Sequence, residues 1–283
     1  MNYAQLFADY EKQLVAIGEE AESLSFAYRS LKNLDFTDFL FMLRQEVTPT
    51  DRKLIDQIYH QLALHRPAQY IIGKADFHGL RFAVDERVLI PRPETEELVE
   101  LILLENSRAN LRVLDIGTGS GAIAISLAKA RPDWEVVAVD ISSDALEVAV
   151  ENAASNQVSV QFLHSDLFQA VSGNFDIIVS NPPYISPNDK DEVGTNVLAS
   201  EPHLALFAEE DGLVIYRKIV EQARQFLKDN GKIYFEIGYK QGQSVADLLA
   251  LHFPEKRVRV LKDQFGQDRK VVADDNRYYS SYY

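Results

Sequence analysis

The sequence predicts an α/β domain built on a parallel sheet with helices on both faces, preceded by a smaller domain made only of helices. From residue 111 onward, near-continuous apolar runs alternate with amphipathic segments, which is the pattern of buried parallel strands joined by helices. Residues 1–68 instead repeat apolar side chains at helical spacing throughout. The length of 283 residues suits about two domains of ordinary size.

Residues 1–68 are expected to form a bundle of helices. Apolar side chains recur at helical spacing in two stretches, namely Leu6, Tyr10, Leu14 and Ile17 in the first and Leu54, Ile58, Leu62 and, less cleanly, His65 in the second. Asn33, Asp35 and Thr50 stand where caps between helices are expected. No catalytic constellation is recognisable in this domain.

Residues 69–90 are predicted to be a β-hairpin that links the two domains. Two β-rich runs there flank Gly73 and His78–Gly79, which are suited to turns. After a stretch that two prolines stiffen, Thr95 and Glu96 are expected to open an amphipathic helix.

Residues 91–276 are expected to hold the sheet, and residues 277–283, which include YYSSYY, a tail. Strands are predicted at 111–116, 135–140, 158–163, 175–180 (followed by a long loop) and 232–238, and near 257–261 and 270–273. Helices are predicted at about 122–129, 144–155, 212–228 and 241–252. Ligands of such sheets bind outside the carboxyl ends of the strands, so candidate site residues are sought there.

Composition excludes several classes of protein. The chain is 46% hydrophobic and 25% charged, which is ordinary for a globular protein. The lack of cysteine excludes disulfides, iron–sulfur clusters, Cys-based zinc sites and thiol nucleophiles. His60 and His65 have no carboxylate at ligand spacing, so no metal is predicted. Neither a signal peptide nor an apolar run long enough to span a membrane is visible, so a cytoplasmic protein is expected.

Charge argues against a nucleic-acid partner. Lys and Arg together number 29 and Asp and Glu 43, which gives a formal net charge of −14. Such a field repels phosphate backbones, whereas duplex-binding proteins usually carry a basic surplus. No direct contact with nucleic acid is therefore expected, although a local basic patch is compatible with these totals.

A glycine-rich loop follows the first predicted strand of the sheet. Its candidate residues are Asp115, Gly117, Thr118, Gly119, Ser120 and Gly121. The three glycines let the backbone turn tightly and approach a ligand without side-chain collision. Asp140 ends the next strand, where a carboxylate accepts hydrogen bonds from both hydroxyls of a ribose. Loop and carboxylate together predict a nucleoside site.

The loop leaves the identity of the nucleoside open. The run from Gly117 to Ala122 satisfies the dinucleotide pattern G-x-G-x-x-G/A, so a nicotinamide cofactor is one alternative. Asp115 favours S-adenosylmethionine, because its negative charge opposes a pyrophosphate and suits an ammonium or sulfonium group. Asp166 follows the third strand, near the expected adenine, whose exocyclic amine it could bind.

The sequence Asn181-Pro182-Pro183-Tyr184, the NPPY loop, follows the fourth strand directly. The prolines fix φ and remove backbone donors. The amide oxygen of Asn181 and the carbonyl of Pro182 then form a rigid pair of acceptors, which suits a planar –NH2 group. Tyr184 offers a flat apolar surface to cover that plane. Beside a nucleoside loop, this pattern predicts a site that binds an amino group.

Together these motifs resemble the class I S-adenosylmethionine-dependent methyltransferases, and among them the HemK-type protein-(glutamine-N5) methyltransferases that modify peptide chain release factors. The similarity runs from about residue 69 to residue 274. It rests on FHGLRFAV at 77–84, VLIPRPETEELV at 88–99, DIGTGSGAIAI at 115–125, SNPPYI at 180–185, EPHLALFAEEDGL at 201–213 and DQFGQDR at 263–269. The segments PRPETE and EPHLAL point to the glutamine enzymes in particular.

The resemblance implies a seven-stranded Rossmann-like sheet and methylation of the glutamine N5 in the Gly-Gly-Gln motif of release factors 1 and 2. The products would be N5-methylglutamine and S-adenosylhomocysteine. Residues 1–68 would help to hold the release factor, and a monomer without a metal cofactor is expected. The implied cofactor contacts are the glycine loop with Asp115, Asp140, Asp166, Leu167 and Asn181, and the implied catalytic and substrate contacts are Asn181, Pro182, Pro183 and Tyr184. Leu167 departs from the pattern, because relatives often carry an aromatic there.

Two other functions remain as alternatives. Adenine-N6 and guanine-N2 methyltransferases share the glycine loop and NPPY, but the acidic charge of this chain counts against a nucleic-acid substrate. A nucleotide binder or dehydrogenase is compatible with the glycine loop alone, whereas NPPY has no role in hydride transfer.

Overall fold

The structure, a computed structural model, describes residues 1–275, and the tail predicted for 277–283 lies outside the described residues. In chain order the elements are α1 (Tyr3–Ala16), α2 (Ser23–Lys32), α3 (Phe36–Met42), α4 (Pro49–Ala63), α5 (Ala68–Ile72), β1 (Lys74–Phe77), β2 (Leu80–Ala83), α6 (Pro93–Glu105), β3 (Arg112–Ile116), α7 (Ala122–Ala130), β4 (Glu135–Asp140), α8 (Ser143–Ser155), β5 (Gln161–His164), β6 (Phe175–Ser180), α9 (Thr195–Ser200), α10 (Glu209–Gly212), α11 (Val214–Ala223), β7 (Leu227–Glu236), α12 (Gly242–His252), β8 (Arg257–Lys262) and β9 (Asp268–Asp274). Short 3-10 turns lie at Pro187–Glu192 and His203–Ala205.

Two compact units divide the described chain. The first comprises Met1–Lys74, Val84–Glu86 and Asp191–Glu201, and the second comprises Ala75–Ala83, Arg87–Lys190 and the chain from Pro202 onward. The long loop predicted after β6 therefore contains structure of its own, since α9 and two 3-10 turns fall within it. No helix within residues 1–275 is both long enough and apolar enough to cross a membrane.

Helices α1 to α5 form the core of the first unit. The predicted apolar faces supply it, and its fully or almost fully buried side chains include Leu6, Leu14, Leu24, Tyr28, Ile55, Ile58 and Leu62. Ile17 and His65 fall outside the helices, because α1 ends at Ala16 and α4 ends at Ala63. The helical character predicted for this region is confirmed.

The helix caps are partly as predicted. Asp35 caps α3 by accepting a hydrogen bond from the backbone N–H of Asp38 at 2.7 Å. Asn33 instead ends α2 in a left-handed conformation, with φ of 53°. The cap predicted at Thr50 is wrong: Thr48 caps α4, and its hydroxyl accepts from the N–H of Asp51 at 3.1 Å. Pro49 suits the first helical turn because proline has no N–H to donate, so α4 begins one residue before Thr50.

The hairpin is shorter than predicted. Strands β1 and β2 pair as a two-stranded sheet, but residues 69–72, which were expected to be β-rich, belong to helix α5. Gly73 ends that helix with φ of 75°, and its N–H donates to the carbonyl of Gln69 at 2.8 Å. The first strand therefore starts only after this glycine.

The second unit is built on the predicted seven-stranded sheet, whose order is β5-β4-β3-β6-β7-β9-β8. Val113, Leu114, Ile178 and Ile233 in the central strands are fully buried, as expected for strands covered on both faces. The sheet is mixed rather than wholly parallel, because β9 runs antiparallel to β7 and β8. Only residues 263–267 join β8 to β9, which is too short for the crossover that parallel strands need.

The helix predicted over 212–228 is also shorter in the structure. Helix α11 ends at Ala223, and β7 already begins at Leu227. Leu227 pairs with Phe175 of β6, so the partner strand takes these residues out of the helix.

Sheet register brings the candidate loops together. Ile116 of β3 pairs with Ser180 of β6, and Asp140 of β4 pairs with His164 of β5. Ser180 also donates its hydroxyl proton to the carbonyl of Ile116 at 2.7 Å. The chain segments that leave these four strands therefore start side by side at one edge of the sheet.

Candidate active site

A cavity of about 230 Å³ opens at the carboxyl ends of β3, β4, β5 and β6. The segments that follow these strands form much of its wall, at 117–120, 140–142, 165–167 and 180–183. Most of the predicted site residues are therefore brought to one place. Within the described chain, Asp115, Gly121 and Tyr184 are not part of this wall.

The glycine loop is tightly built. The N–H groups of Gly117 and Thr118 both donate to the carbonyl of Val139, at 2.9 and 3.0 Å. Gly121 has φ of 83°, and a Cβ there would lie 2.6 Å from Cδ1 of Ile125 and 3.3 Å from Cβ of Ala149. The left-handed φ and the limited space beside Ala149 favour glycine at position 121, where it supports the loop without lining the cavity.

Asp140 connects the loop to the next helix. Its Oδ2 accepts from the N–H of Gly119 at 2.8 Å, and its Oδ1 accepts from the N–H of Ser142 at 2.9 Å. Burial raises the pKa of Asp140, while these backbone donors act in the opposite direction. Because a carboxylate oxygen has two lone pairs, each oxygen keeps an acceptor position for a ligand in the cavity.

Asp115 lies beneath the loop rather than in the cavity wall. It is fully buried, and its Oδ2 accepts from the hydroxyl of Thr118 at 2.7 Å. Within residues 1–275, its Oδ1 meets no donor in hydrogen-bond geometry. Burial, together with the charge of Asp140, raises the pKa of Asp115 to about 7. The sequence predicts an ammonium or sulfonium group as the partner of this carboxyl group.

The third segment of the wall contains Asp166 and Leu167, and the second contributes Ile141, which sequence reasoning missed. Asp166 is exposed, so its carboxylate is accessible to an exocyclic amine. Leu167 has a left-handed φ of 53°, and its carbonyl accepts from the hydroxyl of Ser165 at 2.9 Å. Ile141 is 50% exposed although it is a large apolar residue. Leu167 and Ile141 give this side of the cavity an apolar surface.

The NPPY loop contributes Asn181, Pro182 and Pro183 to the wall. Tyr184 instead packs against the core of the sheet, and its backbone carbonyl accepts from Nε2 of Gln241 at 2.9 Å. Burial, with the nearby charge of Glu236, raises the pKa of Tyr184 to about 12. Its phenol therefore keeps its proton near neutral pH and is not available as a base.

Two buried residues behind Asn181 were missed by sequence reasoning. Nδ2 of Asn181 donates to Oγ1 of Thr95 at 3.2 Å, and Oγ1 of Thr95 donates to Oε2 of Glu236 at 2.7 Å. The sequence assigns Thr95 only to a helix start, but Pro93 begins α6, and Thr95, which is only 5% exposed, borders the cavity. The PRPETE motif was the available signal for Thr95, whereas nothing local marks Glu236.

The remaining wall of the cavity is largely apolar. It includes Pro91, Pro202, Leu204, Ala205 and Ile215, which come from the segments IPRPETE and EPHLAL and from α11. Within residues 1–275, no group of three or more His, Asp or Glu side chains is arranged to hold a metal ion. The site thus combines hydrogen-bond acceptors, a largely apolar wall and the glycine loop.

The sequence is similar to that of known proteins along almost its whole length. Residues 95–206 match the model of the methyltransferase small domain, and residues 5–73 match that of the PrmC N-terminal domain. A release factor glutamine methyltransferase of Streptococcus pneumoniae is 66% identical over 278 residues, covering 98% of this chain and 100% of that protein. One of Lactococcus lactis is 50% identical, covering 94% of this chain and 98% of that protein.

A solved structure shares the fold. A methyltransferase from Pyrococcus furiosus superposes with a TM-score of 0.53 at 20% identity, covering 79% of this chain and 98% of that chain. At this identity the similarity concerns the fold alone, and it agrees with the seven-stranded sheet described above.

Proposed function

The chain belongs to the release factor glutamine methyltransferase family and is therefore a methyltransferase, and we propose that it methylates the glutamine of the Gly-Gly-Gln motif in release factors 1 and 2. The methyl donor is S-adenosylmethionine, the acceptor is the side-chain N5, and the products are N5-methylglutamine and S-adenosylhomocysteine. The observation that carries this proposal is the position of the Asn181 amide and the glycine loop on one cavity.

The cavity wall fits S-adenosylmethionine. The remaining acceptor positions of Asp140 suit the two ribose hydroxyls. Asp166 would accept from the adenine amine, with Leu167 and Ile141 against the ring. The buried carboxyl group of Asp115, whose Oδ1 has no hydrogen-bond partner within residues 1–275, suits the cationic end of the cofactor through the loop above it. When bound, the cofactor supplies a methyl group already activated on a sulfonium.

The NPPY loop would hold the substrate amide. Its nitrogen is a poor nucleophile, because the lone pair is delocalised into the carbonyl. Oδ1 of Asn181 and the carbonyl of Pro182 would accept its two N–H groups, orient the lone pair, and favour the positive charge that develops on nitrogen. Pro183 forms the adjoining wall, and Tyr184, which packs against the core of the sheet, would support the loop without covering the amide plane. Positioning in line with the methyl then matters more than a strong base.

No side chain is assigned as a general base. Tyr184 has a raised pKa, and Glu236 lies behind Thr95 rather than in the cavity wall of the described chain. The proton can leave to water after transfer, because the methylated amide is strongly acidic in its cationic form. This mechanism needs no metal cofactor.

The first unit would hold the release factor outside the reacting site. Several of its large apolar side chains are exposed, including Phe26 (45%), Phe36 (60%), Leu40 (47%) and Phe41 (69%). Exposed large apolar side chains are groups that a partner protein can cover. We assign the unit built on residues 1–68, with the segment 191–201, to this contact, and we expect the enzyme to act as a cytoplasmic monomer without touching nucleic acid.

The direct test is Asn181→Ala. Turnover of intact release factor should fall by about 10² to 10³, since one preorganised polar group is lost, while affinity for S-adenosylmethionine stays near that of the wild type. Single-turnover kinetics and calorimetry measure the two quantities. Asn188→Ala is the matched control, because Asn188 is exposed in the 3-10 turn beyond the NPPY loop. A folded Asn181→Ala protein with normal turnover at saturating substrate would refute the acceptor role.

A further inference from the structure

A buried chain of hydrogen bonds links the NPPY loop to two other elements of the second unit. It runs from Asn181, after β6, through Thr95 in α6 to Glu236 at the end of β7, with N···O and O···O distances of 3.2 and 2.7 Å. Thr95 and Glu236 are only 5% and 2% exposed. Neither side chain has a part in the chemistry proposed above, yet both are buried polar groups, Thr95 at the edge of the cavity and Glu236 behind it.

The hydrogen bonds that join Asn181, Thr95 and Glu236 can run in only one direction when Glu236 is ionised. A carboxylate only accepts, so the single hydroxyl proton of Thr95 must be donated to it. The oxygen of Thr95 is then an acceptor, and it must receive an N–H of Asn181. The amide group of Asn181 is thereby turned with Nδ2 toward Thr95 and Oδ1 away from it.

We propose that Thr95 and Glu236 are positioning residues, which orient the Asn181 amide so that its oxygen faces the substrate –NH2 group. The inference rests on the proposed role of Asn181 as an acceptor. With the amide reversed, two –NH2 groups would face each other, and only the carbonyl of Pro182 would remain to accept from the substrate. Thr95 borders the cavity and Glu236 lies behind it, and in this proposal both act through Asn181.

Glu236 changes its protonation state near neutral pH, because its pKa is about 7. The groups that face it come from α6, α11, β9 and the NPPY loop, namely Glu94, Tyr216, Arg269, Lys270 and Tyr184. Burial raises the pKa of Glu236, and so does the nearby charge of Glu94. The hydrogen bond from Thr95 and the charges of Arg269 and Lys270 lower it, and together these effects give a pKa of about 7.

Protonation of Glu236 would remove the constraint on the amide. A protonated carboxyl can donate to the oxygen of Thr95, whose own proton is then available to Oδ1 of Asn181. Both orientations of the amide become possible, so only part of the enzyme is competent. We therefore expect kcat to fall as the pH is lowered through about 7, with little change in the affinity for S-adenosylmethionine.

The test compares Thr95→Val, which keeps the shape and removes the hydroxyl, with Thr95→Ser, which keeps the hydroxyl. Both are made in the full-length enzyme and assayed with intact release factor. Thr95→Val should lower kcat by about tenfold or more, leave the Kd for S-adenosylmethionine within about twofold, and lose the fall of kcat between roughly pH 8 and 6. Thr95→Ser should recover most of the turnover and the pH profile.

Tyr216→Phe is the control for a merely structural effect. The hydroxyl of Tyr216 is buried and donates to the backbone carbonyl of Glu236 at 2.7 Å, so its loss disturbs the same region without changing the orientation of Asn181. Tyr216→Phe should lower the melting temperature and leave the pH profile of kcat in place. An equal loss of kcat in Tyr216→Phe and Thr95→Val would overturn the proposal.

Other outcomes separate this inference from the proposed function. Normal kcat in Thr95→Val, together with a large loss in Asn181→Ala, would overturn only the positioning role. Normal turnover in Asn181→Ala would overturn the acceptor role on which it rests. If Thr95→Val does not fold, the wild-type profile still decides, because a kcat that is flat between roughly pH 6 and 8 contradicts the role of Glu236.

Discussion

Asp140 holds two backbone segments of the site, and we propose that it also binds the cofactor. Its carboxylate accepts from the N–H of Gly119 and the N–H of Ser142, so it holds the glycine loop to the residue that caps helix α8. Asp140 also lines the cavity. Preorganisation of this kind reduces the ordering that binding would otherwise require.

Asp140→Ala should weaken the binding of S-adenosylmethionine. Each hydrogen bond to a charged acceptor is worth roughly 1.5–3 kcal/mol, which corresponds to about tenfold or more in affinity. Calorimetry on the folded variant measures the loss. Asp144→Ala, which removes an exposed carboxylate in the first turn of α8, should bind like the wild type. Unchanged affinity in Asp140→Ala, or tight binding of NAD by the wild type, would exclude the proposed cofactor site.

At the scale of elements, the NPPY loop is held by a strained turn. In α10, Glu210 and Asp211 adopt left-handed φ values of 55° and 53°, and Gly212 follows with 81°. The turn lies so close to the NPPY loop that a Cβ on Gly212 would be 2.0 Å from the backbone oxygen of Tyr184. Nε2 of Gln241 joins both segments, donating to the carbonyls of Tyr184 and Asp211.

Gly212→Ala should therefore displace the NPPY loop. A left-handed φ alone costs alanine roughly 1–2 kcal/mol, and the overlap with Tyr184 adds to this. Gly79→Ala is a matched control, because Gly79 has φ of 72° with nothing within 4 Å of its Cβ position. Melting temperatures and kcat on release factor compare the two. We expect Gly212→Ala to lower kcat by about tenfold to a hundredfold; equal effects of both variants would contradict this.

The features that the sequence predicts correctly lie within single elements and the loops that follow them. The glycine loop and NPPY are local patterns, each directly after a strand, and the sheet brings both to one cavity. The bond between Thr95 and Glu236 spans 141 positions in the chain, so it depends on the order of strands in the sheet, which local patterns do not contain. The antiparallel direction of β9 and the inclusion of 191–201 in the first unit depend on tertiary pairing in the same way.

At the scale of the whole molecule, charge and unit structure suit a protein substrate. The formal charge of −14 repels nucleic acid, while the first unit exposes apolar side chains that a protein partner can cover. Contacts remote from the reacting glutamine would supply the energy that brings a weak nucleophile into line. A truncated substrate should therefore lose rate as well as affinity.

The most direct measurement incubates the purified full-length protein with radiolabelled S-adenosylmethionine and, in separate reactions, intact release factor, a short Gly-Gly-Gln peptide and unmethylated duplex DNA. Mass spectrometry then locates the transferred methyl group. We predict strong labelling of the intact factor at the glutamine N5, weak labelling of the peptide and none of the DNA. Equal rates on peptide and intact factor would contradict the docking role of the first unit, and methyl transfer to adenine in DNA would contradict the proposed function itself.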